Sequence, residues 1–221
     1  MLNLGSVAIP LAFSFEKKVS FYKHWQPLFI GMSVMAFLFL VWDVWFTHLG
    51  VWEFNPKYVL GPHIFNMPVE EYMFFFCIPY ACLFTHEALK YYIPYTVIDN
   101  HGKLIGLPVA IILIITGIVK YDHIYTAITF LSLGWFLIYL IIKKSASLGR
   151  FFFTYLITLI PFLLVNGYLT SMPVLIYNDA ENLGIRIGTI PLDDFFYWML
   201  LLLGNVVLFE KFKIKVIKKE D

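Results

Sequence analysis

Charge is scarce in this sequence. Only 14% of the 221 residues are charged, whereas 60% are hydrophobic and 19% are aromatic. The formal net charge is +1, which gives no electrostatic reason to expect a nucleic-acid partner. A soluble domain of this length could not bury so much apolar surface, but a bilayer can solvate it. The composition therefore favours an integral membrane protein.

Several common catalytic and binding signatures are missing. The two cysteines, Cys77 and Cys82, share one apolar run and are expected to be packing thiols rather than a disulfide. There is no G-x-G-x-x-G for a dinucleotide, no P-loop and no D-x-x-x-D spacing for a diphosphate–magnesium site. The scattered histidines offer no metal-ligand set. We therefore expect no metal, no cofactor, and an apolar ligand that is dissolved in the membrane and activated by a proton alone.

Apolar runs long enough to cross a bilayer recur along the chain. Six of them lie at 27–46, 67–84, 104–119, 124–142, 151–170 and 190–209. A seventh run, 2–15, is short and is either a clipped first span or an interfacial helix. With it, the sequence predicts an all-α membrane protein of about seven transmembrane helices.

The basic residues divide unequally between the two sides of this arrangement. Only three of the 16 Lys and Arg residues fall on one side, namely Lys57, Lys120 and Arg186. The other side holds Lys17, Lys18, Lys23, Lys90, Lys103, Lys143, Lys144, Arg150, Lys211, Lys213, Lys215, Lys218 and Lys219. Because positive residues are enriched in cytoplasmic loops, we expect the N-terminus outside the cell inner membrane and the C-terminus in the cytoplasm.

An internal repeat appears when the sequence is shifted by 123 residues, the distance from Glu70 to Asp193. LGPHIFNMPVEEYMFFF (60–76) then aligns without a gap with LGIRIGTIPLDDFFYWM (183–199). The acid pairs, a proline and a glycine keep the same register in both copies. Each copy belongs to a unit of three spans, which predicts two parallel repeats related by an axis along the membrane normal.

The repeat divides the chain into three parts. We place the first three-helix unit at 1–92, a linker helix at 93–122, and the second three-helix unit with its basic tail at 123–221. Both acid pairs then lie on the outer side, at the outer ends of the third and seventh spans.

The paired acids Glu70–Glu71 and Asp193–Asp194 allow two interpretations. The first is helix capping, where a carboxylate after a first-turn proline meets the helix dipole, a gain of roughly 0.3–1 kcal/mol. The second is a proton donor, because burial and a neighbouring carboxylate both disfavour the charged form while the dipole favours it. Adjacent helical residues point about 100° apart, so one acid of a pair can face the bundle interior.

Other residues near the acid pairs are candidates for a site. Asp43 lies within a span, where ionisable residues are costly and often functional, and its repeat mate is Asn166. The crowded aromatic rings are either an interfacial belt or ring faces that stabilise a carbocation, at roughly 0.5–2 kcal/mol per contact. The candidate substrate contacts are Trp42, Trp45, Tyr72, Phe75, Asn166, Tyr197 and Trp198.

The opposite ends of the same spans carry charged pairs. Glu87 is followed three residues later by Lys90, and Glu210 by Lys213. This spacing predicts solvated ion pairs on a helix surface, with an anchoring role.

The motifs resemble the lycopene cyclase domain family, the integral-membrane, two-unit type. They are FLVWDVWFTHLGVWEFNP (39–56), PVEEYMFFF (68–76) and PLDDFFYW (191–198). The resemblance covers nearly the whole chain and implies a single chain that holds both units. Such cyclases occur as paired small subunits in some bacteria and fused to a synthase in fungi.

The resemblance implies a lycopene β-cyclase of carotenoid biosynthesis, an intramolecular lyase of the isomerase class. Protonation of a terminal double bond gives a tertiary cation, a neighbouring double bond closes the ring, and proton loss leaves a β-ionone end group. Glu70 and Glu71 become the catalytic acids, Asp43 assists, and Asp193 and Asp194 correspond in the second unit. The family usually has glutamate where this chain has Asp193. The shorter side chain is expected to weaken the second site or to restrict it to binding, which leaves a one-ring product open.

Alternative functions use the same features differently. In a carotenoid hydratase, water would trap the same cation. A non-catalytic carotenoid- or lipid-binding membrane protein would use the rings for packing alone, and a small transporter would need more polar residues at the bilayer midplane than the sequence has. The expected partners are linear carotenoid and lipid, with homo-oligomers or contacts to other carotenoid-pathway enzymes left open.

Overall fold

The chain folds mainly into helices. A computed structural model describes residues 2–145 and 147–220, and the side chains of 2–145 and 147–214. The residues 1, 146 and 221, and the side chains of the predicted cytoplasmic lysines Lys215, Lys218 and Lys219, lie outside this part. The helices are α1 Leu2–Phe13, α2 Trp25–Leu49, α3 Val69–Tyr92, α4 Gly102–Val119, α5 Ile124–Ile142, α6 Ser147–Ser171 and α7 Leu192–Glu220.

Six of these helices can cross a membrane. Within the described residues, α2 to α7 are long and apolar enough to do so, which confirms the predicted all-α membrane fold. The short run at the start forms a helix of 12 residues. At 1.5 Å per residue α1 extends about 18 Å, less than the roughly 30 Å of a hydrocarbon core.

The starts of two predicted spans were placed too early. Residues 67–68 and 190–191 are extended and form the strands β3 (Met67–Pro68) and β6 (Ile190–Pro191). These strands pair with β2 (His63–Ile64) and β5 (Arg186–Ile187). The capping interpretation had expected Pro68 in the first turn of α3. Pro68 has φ −68° and ψ 151° and therefore precedes the helix. A proline suits this position because it has no N–H to leave unpaired.

A pair of short strands joins the two units. β1 (Trp52–Phe54) pairs antiparallel with β4 (Leu175–Tyr177), and Glu53 lies opposite Ile176. These two residues are 123 apart, so they are repeat mates that face each other. Only a local two-fold rotation places equivalent residues opposite one another, so the axis relating the units passes through this pair. The short strands of each unit recur at the same shift, which confirms the internal repeat.

Close helix packing brings α2 against α7. A Cβ atom at Gly31 would lie 3.3 Å from the backbone nitrogen of Phe209, and one at Gly204 would overlap the side chain of Met35. Gly31 therefore permits a close approach of the two backbones, and Gly204 leaves room for the flexible end of the Met35 side chain. The contact positions one half of α7 beside Asp43. This is the half that begins at Asp193 and Asp194, and we call the parts of the helices at this level their upper halves.

The charged pairs in the C-terminal halves of α3 and α7 link the two units. Lys90 Nζ donates to Glu87 Oε1 at 2.9 Å and also to Glu210, while Lys213 Nζ donates to Glu87 Oε2 at 2.5 Å. The predicted spacing is present, but the prediction of solvated pairs was wrong, since Glu87 is only 8% exposed. Helix packing places the four residues around the same axis, so each lysine reaches the other unit's glutamate.

This network predicts the effect of Glu87→Gln on stability. The change removes the one carboxylate that accepts from both partly buried lysines, so the free energy of unfolding should fall by about 1–3 kcal/mol. A lower melting temperature in detergent micelles would show it. Asp122→Asn, at a side chain that is 65% exposed, is the matched control and should change little. Equal melting temperatures of both variants would contradict the linking role.

Candidate active site

The first acid of each pair holds the loop that precedes its own helix. Glu70 Oε1 accepts a hydrogen bond from the backbone N–H of Leu60 at 2.6 Å. Asp193 Oδ2 accepts one from the backbone N–H of Leu183 at 3.2 Å. Leu60 and Leu183 are repeat mates, so the same hydrogen bond between a carboxylate and the backbone holds the loop in both units. In each case a glycine with positive φ follows, 102° at Gly61 and 69° at Gly184, which turns the chain back toward the helix.

The shorter Asp193 still makes this contact. Its other oxygen accepts a hydrogen bond from Thr126 Oγ1 at 2.5 Å, and the side chain is fully buried. Tyr72 has a related task in the first unit, because its hydroxyl donates to the carbonyl of Ile64 at 2.7 Å. Asp193 therefore has a structural role, and the aspartate still makes the hydrogen bond to the loop although it is shorter than glutamate.

The second acids of the two pairs meet in one central cluster. Glu71 and Asp194 interact electrostatically with each other and with Asp43. Asp43 is 3% exposed and Asp194 is 5% exposed, whereas Glu71 is half-buried. The two units therefore contribute to a single group of three carboxyl groups, which we name the acid cluster, instead of two separate sites.

Asp194 is held by three donors. Tyr125 donates to Oδ1 at 2.7 Å, while Tyr177 and Asn166 donate to Oδ2 at 2.6 and 2.8 Å. Each donor belongs to a different element, namely α5, β4 and α6. The carboxyl group thus fixes the position of the second unit's helices at the acid cluster.

Asp43 and Glu71 are bound less completely. The hydroxyl of Tyr197 donates to Asp43 Oδ1 at 2.5 Å. The carboxyl group of Glu71 has no hydrogen-bond partner among the described residues and is not fully enclosed. Of the three acids, Glu71 is therefore the one whose carboxyl group has no hydrogen-bond partner among the described residues.

Aromatic rings surround the acid cluster. Tyr197 lies edge-on to Phe39 and Trp42, with ring centroids 5.1 and 5.6 Å apart. Trp52 lies 5.2 Å from Tyr125 and 6.2 Å from Tyr197. These five rings form a shell that we name the ring shell. It is apolar at its faces and supplies hydroxyl groups at its tyrosines.

One tyrosine of the site lies in a loop outside the membrane spans. Burial, and after it the neighbouring Asp194 carboxylate, raises the pKa of Tyr177 well above its usual range. Its hydroxyl therefore stays protonated as a donor. The loop beside it is held by Asp179, which accepts from Asn182 Nδ2 at 3.1 Å and pairs with Arg186. The hydrogen bond from Asn182, followed by Arg186, holds the pKa of Asp179 below its usual range.

The structure separates the predicted substrate contacts into groups. Trp42, Asn166 and Tyr197 lie at the acid cluster, as their positions beside Asp43 and Asp194 show. Phe75 is buried against Phe39, with ring centroids 6.1 Å apart. The remaining candidates lie elsewhere: Trp198 is buried against Phe162, Trp45 is 46% exposed on the outer face of α2, and Tyr72 holds the loop.

Sequence reasoning missed Tyr125, Tyr177 and Thr126. None of them lies in the two repeated motifs, and each reaches the acids from another element. A weak signal was present, because Tyr125 and Thr126 are hydroxyl-bearing residues at the predicted outer end of a span. Their side chains would face the acid pairs if the span ended there.

A second group of titratable residues lies at the other end of α3. His86, Glu87 and Glu210 place one ligand atom each within 4.8 Å of one another, a geometry that can hold a metal ion. Both carboxylates already pair with Lys90 or Lys213. Sixteen residues of helix separate Glu71 from Glu87, about 24 Å. We therefore treat this group as part of the linking network and the acid cluster as the candidate site.

The fold and the site define an integral membrane protein in which both copies of an internal repeat contribute carboxyl groups to one acidic, ring-lined centre. The chain belongs to the lycopene cyclase family, whose model matches residues 1–89 and 122–212. The matched regions contain both units, including all three acids of the cluster.

A curated relative gives a partial match. The bifunctional lycopene cyclase/phytoene synthase of Colletotrichum graminicola is 34% identical over 58 residues, which is 22% of this chain and 10% of that protein. The match thus covers a small part of the relative's length. No solved structure matches the chain.

The two roles of the paired acids predict different results for two substitutions. Glu70→Ala should release the loop at 55–66, because the N–H of Leu60 loses its acceptor, and should raise its cleavage by an added protease several-fold. Glu71→Gln should leave cleavage unchanged. Limited proteolysis in detergent, with fragments identified by mass, measures both. Greater cleavage of Glu71→Gln than of Glu70→Ala would show that the assignment is reversed.

Proposed function

We propose that this chain is an acid-catalysed, redox-neutral lycopene β-cyclase, which closes the linear end group of a carotenoid into a β-ionone ring. One observation carries the proposal: three carboxyl groups from both units converge inside a shell of aromatic rings in a membrane-embedded chain. Membership of the lycopene cyclase family supports a carotenoid as the substrate. An apolar polyene offers a double bond to a proton and few groups to any other reagent.

Glu71 is the proton donor in this proposal. Three carboxylates close together in an apolar site repel each other, so the acid cluster retains a proton more readily than a lone surface acid would. Asp194 accepts three hydrogen bonds and Asp43 accepts one from a tyrosine. Both arrangements suit an ionised oxygen. The proton therefore belongs on Glu71, a half-buried residue whose carboxyl group has no hydrogen-bond partner among the described residues.

The reaction balances without an added reagent. Glu71 gives its proton to the terminal double bond, and a C–H bond and a tertiary cation form. The neighbouring double bond supplies its electron pair to the cation, which closes the six-membered ring and moves the positive charge into it. A ring proton then returns to a carboxylate of the acid cluster. The product is an isomer of the substrate, and the acid is restored.

The other residues of the site position the acids and stabilise the charge. Trp42 and Tyr197 lie near the cluster, and a ring face that meets the cation would contribute roughly 0.5–2 kcal/mol per contact. Asp43 and Asp194 add negative charge near the developing cation, an effect that is strong where water is excluded. Glu70 and Asp193 act indirectly, because they hold the loops that cover the helix ends.

The membrane arrangement forms part of the same proposal. The basic residues favour an N-terminus outside the cell inner membrane and a cytoplasmic C-terminus, which puts the acid cluster at the outer side. The division into units at 1–92 and 123–221 around the linker at 93–122 agrees with the observed repeat. The linear carotenoid then reaches the site from the bilayer itself.

Expression in a lycopene-accumulating bacterial host tests the proposed function. We expect a pigment that has the mass of lycopene and a different retention time. Glu71→Gln should lower its formation at least about 100-fold, since general acids commonly contribute that much, with the protein still folded in the membrane. Glu53→Gln, at an exposed glutamate of β1, is the control and should keep activity. A product heavier by one water would identify a hydratase instead, and full activity of Glu71→Gln would refute the proposed donor.

The bond between Tyr197 and Asp43 predicts a non-additive pair of variants. Tyr197→Phe and Asp43→Leu should each lower the rate of cyclisation by about 10-fold or more, because each removes the same buried hydrogen bond. The double variant should be little worse than the weaker single variant. Initial rates from membranes supplied with lycopene measure this. Fully multiplicative losses would show that the two side chains act separately.

A further inference from the structure

The repeat creates two equivalent helix interfaces. One lies between α2 and α7, and its equivalent at the 123-residue shift lies between α6 and α3. Residues four apart lie on one face of a helix. In α2 the facing row is Gly31, Met35, Phe39 and Asp43, and in α7 it is Phe209, Asn205, Leu201 and Tyr197. In the other interface the rows are Thr154, Thr158, Phe162 and Asn166 of α6, and His86, Cys82, Ile78 and Phe74 of α3.

The interface between α2 and α7 is closed along its length. At its cytoplasmic end the backbones approach closely at Gly31. Higher up, the rings of Phe39 and Tyr197 are in contact. The bond from Tyr197 to Asp43 seals the outer end. Along these rows Met35, Phe39, Asp43 and Leu201 are each at most 7% exposed.

The interface between α3 and α6 is closed only at its cytoplasmic end. There, His86 Nδ1 and Thr154 Oγ1 are 2.7 Å apart, and both residues are fully buried. Toward the outer end, exposure increases on both rows: Cys82 and Thr158 are buried, whereas Ile78, Phe74, Phe162 and Asn166 are half-buried. The facing rows of α3 and α6 are therefore less enclosed toward the acid cluster than at the opposite end.

The upper half of α6 contacts α7 instead of α3. Phe162 packs on Phe195 and Trp198, with ring centroids 5.1 and 5.9 Å apart, and Asn166 donates to Asp194. The upper half of α3 is held from its other sides, by Phe39 of α2 at Phe75 and by Asn3 of α1 at the carbonyl of Glu70. These contacts leave the half-buried rows of α3 and α6 facing each other. We name this pair of rows the groove, with Ile78 and Phe74 of α3 on one side and Phe162 and Asn166 of α6 on the other.

Two differences between the repeats explain the groove. The mate of Tyr197 is Phe74, and the mate of Asp43 is Asn166. Phe74 has no hydroxyl group, so the bond that closes the first interface cannot form in the second. Asn166 uses its amide to reach Asp194 instead. Phe74 and Asn166 therefore leave the interface between α3 and α6 open, whereas Tyr197 and Asp43 keep the interface between α2 and α7 closed.

We propose that this groove admits the end group of a linear polyene from the hydrocarbon, and that each chain has one acid centre with one entrance. The inference rests on the proposed function and adds the route to its site. The facing rows are apolar at Ile78, Phe74 and Phe162, and the α3 row continues by one turn to Glu71. The occupant is therefore an apolar chain whose reactive end stops at that carboxyl group. A substrate with two such ends is processed one end at a time.

Thiol labelling tests the groove without any measurement of catalysis. In a Cys77→Ser, Cys82→Ser background, we introduce Ile78→Cys in the groove, its repeat mate Leu201→Cys, and Phe76→Cys on the outer face of α3. N-ethylmaleimide in detergent micelles should label Ile78→Cys at least about 10-fold faster than Leu201→Cys. Added lycopene should slow the labelling of Ile78→Cys and leave Phe76→Cys unchanged. Equal rates at the two mates, or no protection by lycopene, would overturn the proposal.

A bulky side chain provides the matching activity test. Ile78→Trp should reduce cyclisation at least about 10-fold by filling the groove, while Phe76→Trp, two residues away on a side chain that is 39% exposed, should keep it. Equal activity of both variants would overturn the entrance. Failure of the groove and failure of the function are distinguishable. If lycopene protects Ile78→Cys but the unsubstituted chain forms no cyclised pigment, the groove stands and the function falls. If cyclised pigment forms but lycopene gives Ile78→Cys no protection, the function stands and the groove falls.

Discussion

A hydrogen bond inside the membrane, from Tyr197 to Asp43, holds the upper part of this molecule together. A carboxyl group within a span must find a partner, because hydrocarbon offers none. Here the partner comes from the other repeat unit, so satisfying the acid also joins α2 to α7. The ring shell packs around this bond, and Glu71 and Asp194 are brought beside it. The bond therefore adds a contact between the two units at the acid cluster, beside the strand pair and the close packing of α2 on α7.

The shared centre changes the meaning of a duplicated acid motif. Two copies of a motif suggest two equivalent sites, one for each end of a symmetrical substrate. The structure instead assigns one acid of each copy to a loop and the other to a common cluster. The aspartate at 193, where the family usually has glutamate, is then a change in a residue that holds a loop. Thr126 donates a hydrogen bond to this shorter side chain. Asymmetry enters at Phe74 and Asn166, outside the acid pairs.

Much of the architecture follows from the sequence. The apolar runs identify the spanning helices, and the ungapped shift aligns even the two-residue strands, since each strand position depends on the same turn and proline. The directions in which the side chains of Glu70 and Glu71 point could not be predicted in this way. Adjacent helical residues differ by about 100°, so the answer depends on where α3 starts, and a strand pairing at Pro68 decides that. Tyr125 and Tyr177 were missed because their elements lie far from the motifs along the chain.

The crossed ion pairs in the C-terminal halves of α3 and α7 have an evolutionary consequence. A glutamate followed three residues later by a lysine presents a charge pattern that complements its own copy under two-fold rotation. Lys90 reaches Glu210, and Lys213 reaches Glu87, so each unit offers what the other needs. A single ancestral unit with this pattern would have bound a second copy of itself before any gene duplication. Fusion of the two genes would then have freed each half to diverge, as Phe74 and Tyr197 have done.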